Sequence, residues 1–282
     1  MYRFDPDLIF LGSLSSMELK LLVYILIYDE NMEKRYSETL STCDEYKNYG
    51  EQYEKYWQRI AEELQYYGGD SVVNMFRGTG VLYKEILNDA VECVDSKIDI
   101  NRSVEEIEGE YLSVILHKAF NSFSEEQRSE FINSVYKDLS EKRMKENVQD
   151  ILNKLKEGSN IALDFLLDVI KNTSKQISKA IAPIIASVIV HYIMRIVTTE
   201  MAKDGVATGL TLGIAANAAT RGAVVTGITT KAPTATLGWP LIITIGILST
   251  VPLITGKAMR VTIPACVIVS LLRMSHPELQ KK

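Results

Sequence analysis

Three histidines, three cysteines and one glycine-punctuated stretch are the residues from which chemistry could be built, and their spacing is the first test. His117, His191 and His276 lie far apart. None falls in the HExxH or ExxH spacing that sets two metal ligands on one helix face. Cys43, Cys93 and Cys266 form no CxxC pair; odd in number and scattered, they read as free thiols of a reducing compartment. Gly68, Gly69, Asp70, Arg77, Gly78 and Gly80 invite a phosphate-cradle reading. A Walker loop, however, needs a preceding strand and a lysine followed by serine or threonine after its second glycine, and neither is present. No GxSxG or Cys–His signature occurs. No catalytic residue, cofactor or metal is therefore assigned. His191 stands apart because it interrupts the uncharged run from Ala180 to Met194. A lone histidine there is either hydrogen-bonded in a core or a proton sensor, and it is kept as a possible contact.

The elements that would position these residues divide by charge. Residues 1–178 carry 33 acidic and 21 basic side chains, whereas residues 179–282 carry 3 and 10. Within the second part, the 52 residues from Gly205 to Gly256 hold two charges, Arg221 and Lys231. The division expected is an acidic helical domain over 1–158 and an amphipathic-to-apolar helical region over 159–282. The net charge of −5 argues against a nucleic-acid partner, which would be met by a basic stripe. The opening MYRFDPDLIFLG has no basic start and no small-residue cleavage site, so no secretory signal is expected and the chain is placed in the cytoplasm.

The fold class expected is all-α. No proline occurs between Asp7 and Ala182, and apolar residues recur there at three and four. Ser15–Glu18, Ser103–Glu106 and Ser124–Gln127 fit the capping box. A helix is predicted over about 51–67, with Tyr53, Trp57, Ile60, Leu64 and Tyr67 on one stripe and Glu54, Arg59, Glu62 and Glu63 facing away. The glycines at 68 and 69 are expected to close it through positive φ, with Asp70 or Ser71 capping a short helix that follows. Arg77-Gly78-Thr79-Gly80 then punctuates before a helix carrying Tyr83, Ile86, Leu87, Ala90 and Val94. The tyrosines between Tyr36 and Tyr67 are expected to pack between helices rather than line a groove.

These residues also carry a resemblance. The run from Trp57 through Gly68-Gly69-Asp70, continued by Asn74, Arg77-Gly-x-Gly80 and Leu82-Tyr83, resembles the signature of the YaaW family, bacterial proteins of uncharacterised function. Asp5-Pro-Asp-Leu8 with Leu14-Ser15 resembles that family's amino-terminal module, and Arg260-Val-Thr-Ile-Pro264 with Leu272-Arg273-Met274 its carboxy-terminal signature. The resemblance implies a loose grouping with helical chaperones of ubiquinol–cytochrome c reductase assembly, and it brings no active site.

The apolar region reads as one long helix over 159–199, then a glycine-rich hairpin and a last short helix. Gly205, Gly209 and Gly213, followed by Ala218 and Gly222, keep a four-residue spacing that suits close helix packing. Ala232–Gly256 is an uncharged run of 25 residues, long enough to cross a bilayer. Ile263 is expected to be extended before Pro264, with Pro264 in the first turn of a helix too short to span. Arg260, unfavourably placed before that helix's positive end, is expected to seek an acidic or anionic contact, while Arg273 suits the opposite end. The function expected is a non-enzymatic helical protein associated with the inner membrane, binding or assembling protein partners or copies of itself. A pore-forming effector with a sheltered hairpin, and a soluble protein with the apolar region as core, stay open beside it.

Overall fold

A computed structural model describes residues 2–29, 33–68, 80–121, 123–141, 148–172, 175–203 and 259–281. Among the described residues the chain forms ten α-helices and no sheet. In order they are α1 (Ser16–Ile27), α2 (Asp44–Tyr49), α3 (Trp57–Tyr67), α4 (Tyr83–Val94), α5 (Val104–Asn121), α6 (Glu125–Glu141), α7 (Val148–Lys154), α8 (Ser159–Lys171), α9 (Gln176–Lys203) and α10 (Met259–Ser275). The fold is all-α, as the proline-free stretches require.

Serine starts three of these helices, through all three expected capping boxes. The Glu18 carboxylate accepts from the Ser15 N–H at 2.8 Å while the Ser15 hydroxyl accepts from the Glu18 N–H. Ser103 and Glu106 exchange the same bonds ahead of α5, and Ser124 and Gln127 ahead of α6. Each satisfies helix-start amides that nothing inside the helix can reach.

The interior is organised around α10. Every residue from Val261 to Arg273 is buried, as expected of a helix that is apolar on nearly every face. It packs against α1, α3, α4, α5 and α9, while α8 bridges α5, α6 and α9. Pro264 lies inside α10 rather than in its first turn, and Ile263 is helical rather than extended. The bias of a pre-proline residue away from helix is a preference, and here it is outweighed by thirteen consecutive buried residues. The Tyr111 hydroxyl donates to the Ile263 carbonyl at 2.9 Å, tying α5 to α10 one residue before the proline.

Three further expectations are corrected. The predicted single helix over 159–199 is two, α8 and α9. At the break, the Asn172 side-chain amide donates to the Asp168 carbonyl at 2.8 Å, taking up an acceptor of the helix end. Gly68 keeps a right-handed φ of −75°. Its lack of a side chain serves packing, because a Cβ there would meet Ile86 Cγ1 at 2.2 Å. Glu63, expected to face solvent, is 1 % exposed. Its carboxylate accepts from the Thr39 N–H at 2.8 Å and the Thr39 hydroxyl at 2.6 Å, and burial pushes its pKa up. The stripe opposite holds: Tyr53, Ile60, Leu64 and Tyr67 are buried.

Candidate functional site

The most concentrated chemistry in the described residues is an ion pair sealed between α5 and α10. The Arg273 Nε lies 2.9 Å from Glu108 Oε2 and donates to Oε1 at 3.1 Å, with side chains 5 % and 3 % exposed. The Tyr83 hydroxyl, at the start of α4, donates to Glu108 Oε1 at 2.7 Å and lies 3.4 Å from the Ser270 hydroxyl. The guanidinium also donates through Nη2 to the Asp7 carbonyl and stacks over the rings of Phe10 and Tyr83, at 4.7 and 5.6 Å. Asp5, fully buried, accepts from the Tyr83 N–H at 2.6 Å and from the Asp7 N–H at 2.9 Å. A carboxylate from the amino terminus thus caps α4 from outside its own segment.

Electrostatics follow from burial. Loss of water raises the pKa of Glu108, and Arg273 and the Tyr83 hydroxyl pull it back. Burial lifts the Tyr83 hydroxyl far above its ordinary value, with Glu108 acting in the same direction. The Glu108 carboxyl is met by a bound guanidinium and a phenol, so its oxygens are partnered. A buried polar network satisfied in this way rigidifies the core and joins the elements that supply it.

The three stretches that carried the family resemblance meet here. Asp5 and Asp7 come from the first, Tyr83 from the second and Arg273 from the third. Arg273 was expected to serve only the helix end, and its partner Glu108 was not singled out. The one sequence signal for Glu108 is an acid on a helix between Ile107 and Gly109, both buried.

The other predicted residues are placed apart from this network. His191 is exposed on α9, its Nδ1 2.7 Å from the Ser187 carbonyl, so the core setting expected for it is not found. Arg260 is exposed in the first turn of α10, inside the helix rather than before it. Trp57 is half-buried and meets the Tyr2 ring edge-on at 5.7 Å. Gly80 faces Gln65, whose Cβ would stand 2.5 Å from a Cβ at 80. The Gln65 amide in turn pairs with both the N–H and the carbonyl of Arg3. Gly69, Asp70, Arg77, Gly78, Gly205, Gly209, Gly213, Ala218, Gly222 and the run 232–256 lie outside the described residues. Tyr46, Tyr49 and Tyr53 pack their rings around Tyr56, while Tyr36 and Tyr66 are exposed. A hollow of about 340 Å³ lined by Ile132, Tyr136, Leu155 and Lys156 shares no residue with the network. Among the described residues no three His, Cys, Asp or Glu side chains gather to hold a metal, and no helix is long and apolar enough to cross a membrane.

Residues 2–36, which supply Asp5, Asp7, Phe10 and the first capping box, match the domain of unknown function DUF3944. A UPF0174 protein of Helicobacter pylori strain J99 is 43 % identical over 131 residues, 46 % of this chain and 51 % of its own length. The UPF0174 protein YaaW of Escherichia coli K12 is 36 % identical over 137 residues, 48 % of this chain and 58 % of its own length. The homologues of this chain are UPF0174 proteins, YaaW among them. A further UPF0174 protein, of Helicobacter pylori strain 26695, is 40 % identical over 116 residues, 41 % of this chain and 56 % of its own length. The chain spans about half the length of the curated relatives it matches, and no solved structure matches it.

Proposed function

We propose that this UPF0174-related chain is a non-enzymatic helical scaffold that carries an apolar, glycine-rich segment to the cytoplasmic face of the inner membrane and engages protein partners there. One observation carries the reading. The stretch 204–258 leaves α9 and returns into α10, two helices that pack on each other within the core. Its 52 residues from Gly205 to Gly256 hold two charges. The run from Ala232 to Gly256, as a helix rising ~1.5 Å per residue, would reach past the ~30 Å of a bilayer's hydrocarbon layer. The Glu108–Arg273 network supports the reading from the other side, because a rigid mount for α10 is what a presented segment needs. The grouping with assembly chaperones that the resemblance implied points to protein partners as the object.

Cell fractionation tests this. The full chain should sediment with membranes and be released by detergent, and a variant lacking 204–258 should stay in the supernatant. Complete recovery of the full chain in a detergent-free, high-speed supernatant would overturn the proposal.

A further inference from the structure

A second ionic contact joins the amino-terminal segment to the end of α10, and its geometry sets it apart from the buried one. The His276 Nε2 lies 3.0 Å from Glu18 Oε1, with side chains 26 % and 28 % exposed. The opposite ring nitrogen, Nδ1, faces the Leu272 carbonyl at 3.2 Å and the Ser275 hydroxyl at 2.9 Å. That hydroxyl spends its own proton on the Leu272 carbonyl, 2.9 Å away. Nε2–H donates to the Glu18 carboxylate, and protonation of Nδ1 adds a second donor that faces the Leu272 carbonyl. Glu18 is meanwhile the reciprocal member of the α1 capping box, so one carboxylate both starts α1 and holds the chain's last turn.

We propose that Glu18 and His276 form a pH-operated clasp that fastens the first turn of α1 to the end of α10 and loosens there as the medium turns alkaline. The groups that face the imidazole are few. From α1 comes Glu18; from α10 come the Leu272 carbonyl and Ser275; from the closing 3₁₀ turn, Pro277–Lys281, comes Glu278. The turn Ile9–Ser13, which packs on that closing turn, brings no titratable side chain. Glu18, then burial, set the balance at His276, and its pKa rises above the ordinary 6.5. Its contribution is thus whole below that value and lost as pH rises through the raised one. His276 first, and Ser15 behind it, hold Glu18 down at about 2 from its ordinary 4.5. The acid side of the pair is whole above 4.5 and fails only as pH falls towards 2. The clasp is closed from about pH 4.5 to 6.5 and opens on the alkaline side.

Nuclear magnetic resonance of the full chain tests it. The His276 ring should titrate above 6.5 in the parent and fall back towards that value in Glu18→Gln, whose amide still closes the capping box. Hydrogen-exchange protection factors of the Leu19–Val23 amides should drop between about pH 6 and 8.5 in the parent, as the imidazolium loses its proton. They should stay level in Glu18→Gln and in His276→Gln. His276 titrating at or below 6.5 in the parent would overturn the clasp. So would an equal pH-dependent loss of protection in His276→Gln, which also decides the matter if Glu18→Gln does not fold.

Discussion

Arg273 and His276 stand three residues apart at the end of the same helix and bind the same amino-terminal segment, yet water treats them differently. Arg273 and Glu108 are 5 % and 3 % exposed, and phenol, carbonyl and two rings complete their surroundings. His276 and Glu18 keep about a quarter of their side-chain surface in solvent. Removing one member of a buried pair strands a charge in a medium that cannot solvate it. Removing one member of a half-exposed pair leaves the other to water. The first contact is accordingly a permanent seam of the fold and the second an adjustable one. A contact's chemical type says little about its role until its burial is known.

The comparison can be broken most forcefully at its buried side. Arg273→Met should cost about 3–5 kcal/mol, read as a lower urea midpoint at pH 7, because the buried Glu108 loses its counter-charge and keeps only the Tyr83 hydroxyl. Adding Glu108→Leu should recover most of that loss. A single variant as stable as the parent would mean that this seam does not hold α10. Next in size, Tyr83→Phe should cost about 1–3 kcal/mol in the same measurement, since it takes a donor from a buried carboxylate. Asp5→Ala should cost about 1–2 kcal/mol by uncapping α4 and freeing the Asp7 N–H. Its loss should show first as reduced exchange protection in the opening turn of α4. The smallest effect sharpens the contrast. His276→Gln should cost below about 1 kcal/mol at pH 6 and nothing measurable at pH 9, whereas Arg273→Met should remain strongly destabilising at both. A penalty at Arg273 as small as that at His276, or a pH-independent one at His276, would erase the distinction.

How much of this was legible beforehand depends on the reach of each signal. Ser15–Glu18, Ser103–Glu106 and Ser124–Gln127 read correctly because a capping box closes over three residues and needs no neighbour. The stripe of Tyr53, Ile60, Leu64 and Tyr67 read correctly because periodicity marks the buried face of a helix. Glu63 was misread by the same rule, as an acid beside that stripe finds its partner, Thr39, across 24 residues. Gly68 was recognised as necessary for the wrong reason: the demand comes from Ile86 on another helix, not from its own φ. Pro264 was misplaced and the break at Asn172 was missed, because spacing displays neither the burial around α10 nor the Asn172 side-chain bond.

Sequence alone determined that this chain is helical, where several helices begin, that its halves differ in charge and that the stretch 205–256 is nearly uncharged. These are properties of neighbours a few residues apart or of composition, and short-range sterics and solvation act on them directly. Tertiary structure alone decided that Glu108 meets Arg273 across 165 residues, that Asp5 caps α4 across 78, and that α10 is the centre of the packing rather than a peripheral tail. Those outcomes depend on which faces exclude water together, a property that only the assembled chain possesses.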